Sequence, residues 1–147
     1  VTLRIARWRM AKIWFGFAAV VLVILIAQAA GGIYGDDTKR AFSWALPNII
    51  PNVALMFSVF AADALRPISQ NEPKVRKQFL SLSTAVSAFY LVLLTVTLVS
   101  PPFVDVIRPS AGQSPIEFLE LSNLWLTPLQ GLAVTSVGVL FFVKDQD

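Results

Sequence analysis

Residues 13–33 read IWFGFAAVVLVILIAQAAGGI, and only Gln28 interrupts their apolar character. A run of about 20 such residues is what a helix needs to cross a hydrocarbon layer of about 30 Å. Three more runs of similar length follow, at about 42–65, 79–99 and 124–143. They are continuous, unlike the alternating segments of about ten residues that build outer-membrane barrels. The expected fold is therefore an all-α integral membrane protein of one domain, residues 1–147, with four transmembrane helices in up-down order.

Composition agrees. Of 147 residues, 56% are hydrophobic and 14% charged, about half the charged fraction of an average soluble domain. The chain has no His and no Cys. Imidazole- or thiolate-ligated metals, disulfides, His-based triads and Cys nucleophiles are thereby excluded, and no cofactor is expected. The formal net charge of +3 reads as a topology signal, with no nucleic-acid partner implied.

Nine of the twelve basic residues fall on one side of the four runs: Arg4, Arg7, Arg9, Lys12, Arg66, Lys74, Arg76, Lys77 and Lys144. The other side holds Lys39, Arg40 and Arg108 beside Asp36, Asp37, Asp105, Glu117 and Glu120. By the positive-inside rule both termini are cytoplasmic, as an even number of spans allows. Trp8, Trp14, Trp44 and Trp125 fall near span ends, where amphipathic rings settle at headgroup level. The expected location is a bacterial inner membrane. The start at Val1 fits a GTG codon translated literally, or a chain trimmed upstream. The basic stretch, apolar run and Ala27-Gln28-Ala29 also resemble a secretory signal with its cleavage site, but the run is read here as the first span. Among the basic residues, Arg4, Arg7, Arg9, Lys12, Lys74, Arg76 and Lys77 are candidate contacts for anionic lipid, each worth about 1 kcal/mol near a charged surface. Ordinary topology-setting charge is the plainer account of them.

The connection at 31–37 is short and glycine-rich, so spans one and two should be antiparallel neighbours. Ser114-Pro115-Ile116-Glu117 is a capping box with proline at the first helical position. An interfacial helix is expected over about 115–124, bending into span four near Pro128; one continuous tilted helix is the competing picture.

Span two carries Pro47-Asn48-Ile49-Ile50-Pro51-Asn52 and, later, Asp63. At 100° per residue, Asn52 and Asp63 lie about 40° and about 60° round from Asn48, which puts all three on one stripe. Such a stripe either lines a polar path, with Pro47 and Pro51 kinking the helix, or bonds neighbouring helices. In the second case Asp63 sits beside Arg66 at headgroup level. Span three has a small stripe of Ser81, Ala85, Ala88 and Thr95, with Ser83 and Ser87 as a second pair. Span four has Gly131, Thr135 and Gly138 on one face, with Gln130 near its outer end. Small residues let helices approach closely, within the chain or between copies. Span one, apart from Gln28 and Gly16, is nearly featureless and is expected to face lipid.

No nucleotide-binding fingerprint occurs, the acidic pairs outside the spans form no acid–base constellation, and span one lacks a carboxylate for coupled transport. The function expected is a non-enzymatic membrane subunit that assembles with other membrane-protein subunits as a homo- or hetero-oligomer in a lipid bilayer. A pore or channel, even a membrane-permeabilising effector, is the alternative. A small transporter or membrane enzyme comes third.

Overall fold

A computed structural model describes residues 1–65, 74–103, 112 and 114–142. Four long helices dominate it: α1 Leu3–Ala30, α2 Thr38–Ala64, α3 Lys77–Val99 and α4 Pro115–Phe142, each long and apolar enough to cross a membrane. Among the described residues there is no strand; one isolated bridge, Thr2 to Lys74, ties the start of α1 to the start of α3.

The helices form an up-down bundle, each running opposite to the one before it in the chain. Each of α1 and α4 packs against α2 and α3, and α1 meets α4 less extensively. One end of the bundle gathers the start of α1, the end of α2, the start of α3 and the end of α4. It carries Arg4, Arg7, Arg9, Lys12, Lys74, Arg76 and Lys77, and is called the basic end below. The opposite end carries Asp36, Asp37, Glu117 and Glu120. The turn joining α1 to α2 there uses Gly32 and Gly35 at φ of 73° and 51°, a backbone region in which an L side chain would be strained.

Helix α1 differs from its sequence-based reading in two ways. It starts ten residues before position 13, at Leu3, because nothing in the basic N-terminal stretch breaks a helix. It is also not a featureless face turned outward. Ala6, Met10, Trp14, Ala18, Val21, Leu25 and Gln28 are buried along one side, at spacings of three and four. When both faces of a helix are apolar, polarity cannot mark the one that packs. Here shape marks it, with alanines alternating beside Met10 and Trp14.

Helix α4 also differs. An interfacial segment over 115–124 that bends near Pro128 is replaced by one helix running through Pro128 to Phe142. An interior proline costs about 3 kcal/mol because it removes a donor and crowds the carbonyl four residues back. Pro128 lies on the exposed side, and Leu124, whose carbonyl it leaves without a helical partner, is 75% exposed. The loss therefore falls outside the packed core and the helix carries on. The start of α4 has the capping box its sequence spells: the Glu117 amide donates to Ser114 Oγ (3.3 Å) and the Ser114 amide to Glu117 Oε2 (3.1 Å).

Candidate functional site

The two prolines of α2 set the chemistry at the middle of the bundle. Pro51 has no N–H, so the carbonyl of Pro47 loses its helical partner. Gln130 of α4 supplies one, donating from Nε2 at 2.9 Å. One residue on, Tyr90 of α3 donates its hydroxyl to both the carbonyl and the Oδ1 of Asn48, each at 3.1 Å. The Asn48 amide donates to the Trp44 carbonyl at 2.7 Å, within its own helix. Tyr90 is fully buried and its ring lies 6.0 Å from that of Trp14. The Pro-Asn segment is thus bonded to α4 beside it and to α3 across the bundle.

Asn52, one turn further along α2, is different. It is 1% exposed, yet neither its Oδ1 nor its Nδ2 has a hydrogen-bond partner among the described residues. The same holds for the buried hydroxyls of Ser83 and Ser87 on α3. Because α2 and α3 run in opposite directions through the Tyr90–Asn48 contact, Asn52 lies about 6 Å towards the basic end of it, Ser87 about 4.5 Å and Ser83 about 10 Å. Three polar side chains therefore occupy adjacent turns of two facing helices without bonding partners. An enclosed polar atom left unpaired costs about 1–3 kcal/mol. Asn52→Leu keeps the same number of side-chain heavy atoms and removes both orphans. It is expected to leave thermal stability in detergent unchanged or to raise it by about 1–2 kcal/mol. Circular dichroism melts check this; a loss above about 1 kcal/mol would show that the amide has a partner in the folded protein.

Asp63 does not join Asn48 and Asn52. It lies about 16 Å beyond Asn52 along α2, is exposed at the basic end, and accepts from Arg7 Nη1 at 3.0 Å. A pairing with Arg66 falls outside the described residues. Arg7 does much more than its place in a basic stretch indicates. Its side chain is 11% exposed, its Nε donates to the Leu140 carbonyl at 3.1 Å and its Nη2 to the Phe141 carbonyl at 3.0 Å. It thus caps the last turn of α4, where orphan carbonyls concentrate partial negative charge. The signal was available: Leu3, Arg7, Met10 and Trp14 form one helical stripe, which puts Arg7 on the packed side.

A matching tie lies at the acidic end. Pro102 gives no N–H to the carbonyl of Leu98, four residues before it. Gln28 of α1 donates to that carbonyl at 2.9 Å and accepts from the Tyr34 hydroxyl at 2.6 Å. Burial pushes the Tyr34 hydroxyl up to about 12, so it stays a protonated donor throughout the physiological range. Sequence reading noticed Gln28 only as an interruption. Pairing it with Pro101-Pro102 was the available clue, since adjacent prolines strip donors from two carbonyls of the preceding turn. Arg40 of α2 forks onto Glu120 of α4 (2.7 Å to each oxygen) and reaches Asp37 at 3.2 Å. Both partners are about half exposed, so water screens the pair and it contributes little to stability.

The small-residue stripes point outward. Ser81 and Ala85 are exposed and Ala88 and Thr95 half-buried, while the second pair, Ser83 and Ser87, is the one that packs inside. On α4, Gly131 and Thr135 are exposed and Gly138 is half-buried. Compared with known proteins, the chain matches no family profile, no curated protein and no solved structure.

Proposed function

We propose that this chain is a non-enzymatic membrane subunit that assembles side by side with further membrane helices, its basic end at the cytoplasmic face of a bacterial inner membrane. One observation carries the reading: the Gly131–Thr135–Gly138 face of α4 is not used to pack the bundle. A methyl group built at Gly131 meets no atom within 4 Å, and the Thr135 hydroxyl is turned back onto the Gly131 carbonyl at 2.8 Å. Exposed Leu124 and Phe142 bracket this smooth face at the same helical angle. In lipid, where no hydrophobic force drives helices together, such faces allow the close backbone approach that does.

Gly131→Leu tests it. The chain itself has room for the new side chain, so thermal stability of the protomer is expected to hold or rise slightly. Any assembly seen by crosslinking in native-like lipid is expected to fall at least about tenfold, the equivalent of about 1.4 kcal/mol of helix packing. A wild-type protein monodisperse as a monomer in lipid, with no co-purifying subunit, would end the proposal.

A second reading, a pore, is supported by the unpartnered Asn52, Ser83 and Ser87, which a column of water or ions would satisfy. Ion flux from liposomes decides it: a wild type that conducts nothing removes this reading, and so does flux that Asn52→Leu leaves unchanged.

A further inference from the structure

We infer that the groove between the first three turns of α1 and of α3 is a binding site for one anionic phospholipid. The groove has a volume of about 990 Å³ and is open along one side. Arg9 and Lys12 of α1 and Lys77 of α3 line it at the basic end. Among the described residues, none of the three has a carboxylate partner and no acidic side chain lines the groove. Lys12 rests its ammonium over the Trp8 ring at 5.4 Å; Trp8 lines a smaller neighbouring groove with Phe60 of α2, which Arg9 and Lys12 also border. By contrast Arg7, from the same basic stretch, is turned inward onto α4 and Asp63.

Below the cations the wall of α3 is small. Ser81, Ala85 and Ala88 succeed one another over about 10 Å of helix, and exposed Val92 continues the same line. The groove therefore runs along the bundle axis from positive charge into apolar surface. An occupant must be anionic at one end and hydrocarbon at the other, in that order and direction. A phospholipid phosphate on Arg9, Lys12 and Lys77, with the Ser81 hydroxyl at the level of the ester linkages and an acyl chain over Ala85, Ala88 and Val92, meets both demands. An acidic peptide does not, because its backbone would enter the apolar half with its polar groups unpaired. The small-residue stripe of α3 thus serves a lipid, leaving that of α4 for helix partners.

This inference rests on the membrane reading above, and one experiment separates the two. The protein is placed in nanodiscs of equal parts phosphatidylglycerol and phosphatidylcholine, and the lipid retained on ejection is read by native mass spectrometry. One phosphatidylglycerol is expected to be retained over phosphatidylcholine by at least about tenfold. The triple variant Arg9→Gln, Lys12→Gln, Lys77→Gln is expected to abolish the preference. Ala85→Leu should abolish it too, by filling the groove with every charge in place, whereas Lys39→Gln at the opposite end should not. Should the triple variant fail to insert, the three single variants and Ala85→Leu carry the same expectation. Equal retention of both lipids by a wild type that enters nanodiscs overturns the lipid site and leaves the membrane reading standing. Failure to enter nanodiscs of either lipid overturns both. Displacement of the lipid by millimolar inorganic phosphate would show a plain anion site and overturn the proposal as well.

Discussion

Arg7→Ala is expected to lower the unfolding free energy of the bundle by about 2–4 kcal/mol, the largest loss from any single charged residue described. Hydrogen bonds from a charged donor are worth about 1.5–3 kcal/mol each, and Arg7 makes two of them to the carbonyls of Leu140 and Phe141. Its third contact, to Asp63, adds less, because that carboxylate is 38% exposed and water can take over part of its solvation. The stem and guanidinium also cover the Phe141 ring at 5.9 Å, so truncation removes packing as well as charge. Arg7→Lys keeps the charge but not the planar fork and should lose roughly half as much. Arg40→Gln, at the half-exposed and solvent-screened pair with Glu120, should lose far less than Arg7→Ala. Denaturant unfolding in micelles, followed by tryptophan fluorescence, orders the three variants. An Arg7→Ala loss no larger than that of Arg40→Gln would contradict the assignment of Arg7 as the clamp of the basic end.

Gln28→Leu is expected to cost a similar amount, about 2–4 kcal/mol, for a different reason. The side chain holds a donor and an acceptor relation at once, and its removal strands two buried groups: the Leu98 carbonyl, which Pro102 cannot serve, and the Tyr34 hydroxyl. Each stranded group costs about 1–3 kcal/mol. Tyr34→Phe alone strands only Gln28 Oε1 and should cost about 1 kcal/mol. In the double variant neither the Tyr34 hydroxyl nor Gln28 Oε1 is left to be stranded, so the combined loss should fall short of the sum by about 2 kcal/mol. Strict additivity in this cycle would mean that the two side chains do not act through one another.

The contrast with Asn52 explains what could and could not be read from the chain. Four runs of apolar residues and the Ser114–Glu117 box are local patterns, and one helix covers each run, although α1 and α4 begin ten and nine residues before theirs. The stripe of Asn48 and Asn52 on an inward face was legible for the same reason, because helical spacing fixes which residues share a side. What a polar residue bonds to is a property of two helices, and no spacing within one helix reports it. Hence Asp63, on nearly the same stripe by angle, ends far along the axis on a different partner. Hence too Tyr90 and Gln130, which complete the Pro-Asn segment, carried no mark of their own. The outward direction of the stripes on α3 and α4 was illegible because small side chains suit a close contact inside the bundle and one with a neighbouring helix alike.

The ties to backbone carbonyls have one joint consequence. Gln28 links α1 to α3, Tyr90 links α3 to α2, Gln130 links α4 to α2, and Arg7 links α1 to α4. Together they form a closed circuit through all four helices. Interdigitated apolar side chains oppose sliding through many small contacts spread along the axis. A carbonyl, in contrast, is a single point on the axis. Moving any one helix by a single residue, about 1.5 Å, stretches at least two of these bonds together. The circuit therefore pins the axial register of the bundle at four single points, where the apolar core favours it only through contacts spread along the helices.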